Sequence, residues 1–278
     1  MKDISIAFIG GGNMTHSLVS GLISNGHKPN KIWVAEPDFS RKLFLRRCYN
    51  SINIDSDNVK VATKSEVIFL AIKPHIVREV TENLGYVIQS RQPLVISIAA
   101  GIRESDLRRW LGGGELALVR AMPNTPALVR SSASALFANQ FVSKKNRQLV
   151  ESILQAVGVT IWVEDEMLLD AVTALSGGGP AYFFLLMEAL ERASINLGLD
   201  THQARLLTQQ TAFGAAKMVI DSAESPATLL ARVVSSGGTT EQALAVLRDG
   251  EIEKLVALAL EKACQRAREL GNLLRGDQ

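Results

Sequence analysis

Residues 4–14 read Ile4-Ser5-Ile6-Ala7-Phe8-Ile9-Gly10-Gly11-Gly12-Asn13-Met14. Ile4 to Ile9 is a short, largely apolar run that ends in glycine. After it, Asn13 to Asn25 carries Met14, Leu18, Leu22 and Ile23 at helical spacing. Strand, glycine turn and helix in that order open a dinucleotide-binding unit. Gly10 and Gly12 fill the first two positions of GxGxxG, and Thr15 stands at the third. Such a turn lets the backbone approach a pyrophosphate, which sits on the amides of the helix N-terminus. Asn13 and Met14 then face the nucleotide, and His16 reads as a helix-surface residue rather than a catalyst. Glycine-rich turns also serve packing alone, so the surrounding pattern has to decide.

That pattern agrees. Ile32–Ala35 reads as a second strand and Phe39–Arg47 as a basic helix. Val67–Ile72, Leu94–Ala99 and Leu116–Arg120 are further apolar runs, closed by Lys73-Pro74, Ala100-Gly101 and Pro123. Runs that are apolar throughout are what parallel strands need when helices cover both faces of the sheet. Ser134–Ala138 and Val159–Val163 add strands, with a helix from Lys144 to about Ala156 between them. Residues 1–163 are therefore expected to form an N-terminal Rossmann-type α/β domain, a doubly wound parallel sheet.

Residues 164–278 show no strand pattern and read as an all-helical domain. Ala181–Leu197 is apolar nearly all round. Asp200-Thr201 and Ser225-Pro226 carry helix-start signals, Thr239 and Gln242 have capping-box spacing, and Ile252 to Leu270 marks a long last helix. An all-apolar helix in so small a unit calls for a second subunit to cover it.

Composition narrows the function. The chain has 278 residues, one large domain or two ordinary ones at roughly 150 residues each. With 47% hydrophobic and 21% charged residues it can bury a core. Thirty basic and 28 acidic residues leave +2, too balanced for a nucleic-acid binder. No apolar stretch approaches the roughly 20 residues of a membrane span, and Met-Lys-Asp before the first strand leaves no room for a signal peptide. Cys48 and Cys264 are the only cysteines, so neither a disulfide framework nor a metal site is expected, and a cytoplasmic setting fits.

The second strand ends Ala35-Glu36-Pro37-Asp38. An acidic Glu36 there would accept from a ribose 2′-hydroxyl and favour NADH, whereas Arg41, Lys42 and Arg46 would favour the 2′-phosphate of NADPH. Ala71-Ile72-Lys73-Pro74-His75 ends another strand, where ligands meet a doubly wound sheet. Lys73 and His75 are placed to meet nucleotide or substrate.

Several stretches together resemble one family. They are Gly10-Gly11-Gly12-Asn13-Met14, Ala71-Ile72-Lys73-Pro74-His75, Arg120-Ala121-Met122-Pro123-Asn124-Thr125-Pro126, Leu175-Ser176-Gly177-Gly178-Gly179-Pro180-Ala181-Tyr182 and Ser235-Ser236-Gly237-Gly238-Thr239-Thr240. In this order, over nearly the whole chain, they are similar to pyrroline-5-carboxylate reductases. The resemblance implies reduction of the C=N bond of Δ1-pyrroline-5-carboxylate to L-proline, the last step of proline biosynthesis, with NADPH or NADH. NADPH is favoured because the family accepts it. It also implies a homodimer of interlocking helical domains, and allows a ring of five dimers. Ser236 stands where the family often has Pro, Gly178 where it often has Ser, and Leu230 where a basic residue is frequent.

The reaction needs the imine ring near the nicotinamide, a holder for its carboxylate, and a hydrogen bond or proton at its nitrogen. Ser235 to Thr240 is a glycine-rich turn entering a helix. Its amides at Gly238, Thr239 and Thr240 suit the carboxylate, with Ser235 adding a hydroxyl, and Gly237, Gly238 and Thr239 are the expected substrate-binding residues. Thr240 is the candidate for the imine nitrogen, as an orienting group and proton relay rather than a strong acid. Asn124, at a strand end between two prolines, is expected near the nicotinamide. Two other readings compete. One is a β-hydroxyacid dehydrogenase, for which Lys217 would be the lysine. The other is a nucleotide-sensing protein without catalysis.

Overall fold

The computed structural model describes residues 3–275. The elements run β1 (Ile6–Ile9), α1 (Asn13–Ser24), β2 (Ile32–Ala35), α2 (Phe39–Cys48), β3 (Asn53–Asp55), α3 (Asn58–Thr63), β4 (Val67–Leu70), α4 (Val77–Arg91), β5 (Leu94–Ser97), α5 (Glu104–Trp110), β6 (Leu118–Met122), β7 (Ser132–Ala138), α6 (Lys144–Leu154), β8 (Gly158–Trp162), α7 (Leu168–Val172), α8 (Gly179–Asn196), α9 (Thr201–Asp221), α10 (Pro226–Val233), α11 (Thr239–Asp249) and α12 (Ile252–Arg275).

The eight strands form one sheet in the order β3-β2-β1-β4-β5-β6-β7-β8. Every residue of β1, β4 and β5 is buried, because each strand faces a core on both sides. Ile6, Phe8, Leu18, Val34 and Phe69 belong to the core on one face; Ala7, Ile9, Ile68, Leu70 and Val95 belong to the core on the other. The alternation along β1 thus sends successive residues to opposite cores. The strand order reverses between β1 and β4, which puts the crevice of a doubly wound sheet beyond Ile9 and Leu70.

Two features depart from a purely parallel reading. β7 runs antiparallel to β6, because the connection between them holds a short 3-10 helix, Thr125–Val129, and no crossover helix. β3, paired parallel to β2, is a three-residue edge strand whose half-buried Asn-Ile-Asp gives no hydrophobic signal.

The chain divides into two compact units, and the division differs from the expected 163/164 boundary. The first unit extends to Gly178 and takes in the residues from Lys262 onward; the second is Gly179–Glu261. Charge pairing accounts for the difference. Within the first unit Asp170 Oδ2 accepts from buried Arg103 at 2.6 Å and lies 3.7 Å from Arg268. Glu166 Oε1 accepts from Arg120 at 2.8 Å and from the Glu104 amide at 2.6 Å. Arg275 donates to Asp106 at 3.1 Å. Residues 164–172 and the last turns of α12 are therefore bound to the sheet domain by ion pairs distant in sequence.

The second unit is entirely helical. Asp200 caps α9 in a complete capping box with Gln203, and Ser225 caps α10 ahead of Pro226. The expected Thr239/Gln242 box is not formed. Gly238 holds the N-cap of α11, which moves Thr239 and Thr240 into its first turn, and Glu241 reaches back to the Gly237 amide at 2.7 Å. Along α8 the apolar side chains stay uncovered: Phe183 and Leu185 are 65% and 67% exposed, as is Phe213 of α9 at 63%. Among the described residues no helix is long and apolar enough to cross a membrane.

Candidate active site

The ends of β1, β2 and β4 converge on the glycine turn. The Gly10 amide donates to the Ala35 carbonyl at 2.8 Å, and the Ala71 amide to the Ile9 carbonyl at 2.9 Å. Gly10 has φ +101°, and a Cβ on it would stand 2.4 Å from the Ala71 oxygen and 2.9 Å from Ile72 Cγ2. Only glycine meets both demands. Thr15, the departure from the third glycine, is buried and donates its hydroxyl to the Gly10 carbonyl at 2.6 Å, so it ties helix to turn. Gly12 is the N-cap of α1, has no side chain to cap it, and would find nothing within 4 Å of an added Cβ. The first amides of α1 thus open onto free space beside the crevice. A backbone turn with that opening and a helix dipole behind it fits a dinucleotide pyrophosphate.

Asn13 is exposed and Met14 is half-buried against the core under the sheet. Glu36 lies below the turn: its Oε2 accepts from the Gly11 amide at 2.8 Å and its Oε1 from the Asp38 amide at 2.9 Å. Arg41, from the first turn of α2, lies across it. Its Nε donates to the Gly11 carbonyl at 2.6 Å and its Nη2 to Asn13 Oδ1 at 2.7 Å, while its guanidinium sits 4.9 Å from the Phe44 ring centre. His16 is half-buried, with Nδ1 2.7 Å from the Tyr49 hydroxyl and its ring against Phe44. Burial first, then the charge of Arg41, holds His16 below its ordinary pKa. Burial pushes Tyr49 up to about 12.

Lys73 is exposed at the start of the 3-10 helix Pro74–Ile76, and His75 is exposed within it. Gly10, Gly12, Asn13, Glu36, Ala71 and Ile72 are thus gathered at the strand ends. Asn124 has a different set of partners. Its side-chain oxygen accepts from the Ser132 hydroxyl and the Ala133 amide, both at 3.0 Å, and its side-chain nitrogen donates to the Ser176 carbonyl at 3.0 Å. Ser176 lies in a π-helical turn, Thr173–Gly177, and its hydroxyl donates to the Ala133 carbonyl at 2.8 Å. No sequence signal marks Ser132 or Ser176 as partners of Asn124, eight and 52 residues away.

In the helical unit Ser235, Gly237, Thr239 and Thr240 are exposed and Gly238 half-buried around the start of α11. Gly237 has φ +73°, and the Gly238 amide turns back to the Ser235 carbonyl at 3.0 Å. A Cβ on Gly238 would fall 2.4 Å from Ser235 Oγ, so the glycine brings that hydroxyl onto the helix start. With glycine at the N-cap, the first amides of α11 have no side-chain cap there. Lys217 is paired with Asp221 at 2.6 Å on the exposed face of α9. Among the described residues no cluster of three His, Cys, Asp or Glu side chains gathers to hold a metal.

Residues 166–270 match the family model for pyrroline-5-carboxylate reductase dimerisation, and residues 5–101 that of NADP oxidoreductases, coenzyme F420-dependent. The chain is 42% identical to the pyrroline-5-carboxylate reductase of Pseudomonas aeruginosa, covering 99% of both chains. It superposes on the solved pyrroline-5-carboxylate reductase of Coxiella burnetii with a TM-score of 0.90, at 44% identity over 96% of this chain and 98% of the other. The Plasmodium falciparum pyrroline carboxylate reductase, solved with NADP bound, gives 0.86 at 30% identity, covering 98% and 99%. The chain belongs to the pyrroline-5-carboxylate reductase family.

Proposed function

We propose that this chain reduces Δ1-pyrroline-5-carboxylate to L-proline, using NADPH in preference to NADH. The observation that carries the reading is the presence in one chain of two helix starts, each headed by glycine and free of a side-chain cap at its N-cap. The start at Gly12 leaves room for a pyrophosphate, and the start at Gly238 offers the amides of Thr239 and Thr240 to a smaller anion. Reduced nicotinamide, when bound, supplies the hydride. The chain supplies binding, orientation and charge.

Gly10, Gly12, Asn13 and Met14 hold the pyrophosphate, with Ala71, Ile72, Lys73 and Pro74 lining the nucleotide crevice. The amides of Thr239 and Thr240 and the Ser235 hydroxyl take the substrate carboxylate, while Gly237 and Gly238, whose amides are held by Glu241 and by the Ser235 carbonyl, shape the turn around it. Thr240 Oγ hydrogen-bonds the imine nitrogen and orients it. An iminium accepts hydride far better than a neutral imine, so a group that stabilises the N–H bond lowers the barrier.

The helical unit both binds substrate and pairs with a second copy, so the protein works as a homodimer, on which a ring of five dimers can be built. Its setting is the cytoplasm. Steady-state turnover with the pyrroline substrate and each coenzyme, together with chiral analysis of the product, tests the reading.

A further inference from the structure

The residues below β2 carry opposite charges, and the geometry gives them separate tasks. Both oxygens of Glu36 are engaged by backbone amides, of Gly11 and of Asp38. The carboxylate is packed under the turn so closely that a Cβ on Gly11 would lie 3.0 Å from Oε2 and 3.1 Å from Glu36 Cβ. Two charge-assisted bonds to successive parts of the chain make a brace between the end of β2 and the glycine turn. Arg41 has the converse arrangement. Its donors rest on two neutral acceptors, the Gly11 carbonyl and Asn13 Oδ1. Its guanidinium forms no ion pair among the described residues: Asp38 Oδ1 accepts from the Arg41 backbone amide at 2.7 Å, and Asp55 pairs with Lys60. Lys42, the next residue, likewise donates only to a neutral hydroxyl, Ser56 Oγ at 2.6 Å. The mouth of the turn therefore carries a guanidinium bonded to neutral acceptors rather than to a carboxylate, next to the strand end where the adenosine ribose of a dinucleotide lies. A planar guanidinium held by neutral acceptors gains by exchanging them for phosphate oxygens, which it meets in bidentate fashion.

We propose that Arg41 is the residue that recognises the 2′-phosphate of the coenzyme, and that Glu36 is a positioning residue for the glycine turn rather than a ribose ligand. The acidic residue after β2 then does not select for a coenzyme lacking the phosphate. This rests on the coenzyme reading above.

The test is calorimetric binding of two probes, ADP-ribose and its 2′-phosphate, to the full-length protein and to Arg41→Met and Glu36→Gln. Thermal midpoints establish that each variant is folded. The wild type is expected to prefer the phosphorylated probe, and Arg41→Met to lose roughly 10- to 100-fold of that preference, the range of a charged hydrogen bond. Its affinity for plain ADP-ribose should stay within a few-fold. Glu36→Gln, which keeps the shape but weakens the brace, should weaken both probes by a similar factor. The proposal is overturned if Arg41→Met leaves the preference unchanged, or if Glu36→Gln weakens ADP-ribose alone or strengthens the phosphorylated probe alone. Binding of neither probe to the wild type would instead overturn the coenzyme reading itself, and this assignment with it.

Discussion

The Asn124 side-chain nitrogen donates to the Ser176 carbonyl at 3.0 Å, and so holds the end of β6 to a π-helical turn 52 residues later. With Ser132 and Ala133 on its oxygen, the buried amide is satisfied at both ends. Asn124→Ala should therefore act on stability, leaving buried groups unpaired at a cost of about 1–3 kcal/mol. Denaturant midpoints measure the loss. Unchanged stability with abolished coenzyme binding would mean that the side chain is a ligand after all.

Thr240 lies in the first turn of α11, and Gly238 rather than a threonine is its cap. Thr240→Val should therefore leave stability within about 0.5 kcal/mol, as exposed substitutions away from caps do. One hydrogen bond to developing charge is worth about 2–4 kcal/mol, so turnover should fall roughly 30- to 1,000-fold. Measuring turnover and thermal midpoint on one sample separates the two roles. Near-normal turnover in a folded variant would remove Thr240 from the chemistry.

The apolar side chains left uncovered along α8 and α9 are the surface that the proposed homodimer would bury. Sedimentation at micromolar concentration should find a dimer or a multiple of it. Leu185→Glu should shift the population toward monomer and lower the thermal midpoint. A stable wild-type monomer would contradict the assignment of these helices to an interface.

His16 gives a pH dependence of defined sign. Its pKa is lowered in the folded protein, mainly by burial and then by Arg41, so unfolding takes up a proton below the ordinary value of about 6.5. The stability it contributes is fully present above that pH and is lost as the pH falls through the folded value. Thermal midpoints measured from pH 7.5 down to pH 5 should fall less steeply in His16→Gln than in the wild type. Parallel slopes would show that the ring does not titrate in this way.

Much of this was legible in local sequence. The strand Ile32–Ala35 and the helix starts at Asp200 and Ser225 lie where composition and capping chemistry put them. What was not legible depends on partners far along the chain. The Arg103–Asp170 and Arg120–Glu166 pairs carry residues past Val163 into the first unit, and no local pattern announces them. The β3 strand is too short and polar to show a period. The Thr239/Gln242 spacing predicted a cap that Gly238 displaces, because motif spacing does not fix where a helix begins. At the site, the charges of Glu36 and Arg41 were readable but their orientations were not, since those follow from the fold of the Gly11 turn.

The most direct measurement follows reduced-coenzyme oxidation by the purified protein with Δ1-pyrroline-5-carboxylate, and quantifies the amino acid formed. The account predicts one L-proline for each NADPH consumed, with a higher kcat/KM for NADPH than for NADH. Absence of turnover with either coenzyme, in a sample that oxidises a 3-hydroxyacid instead, would contradict it.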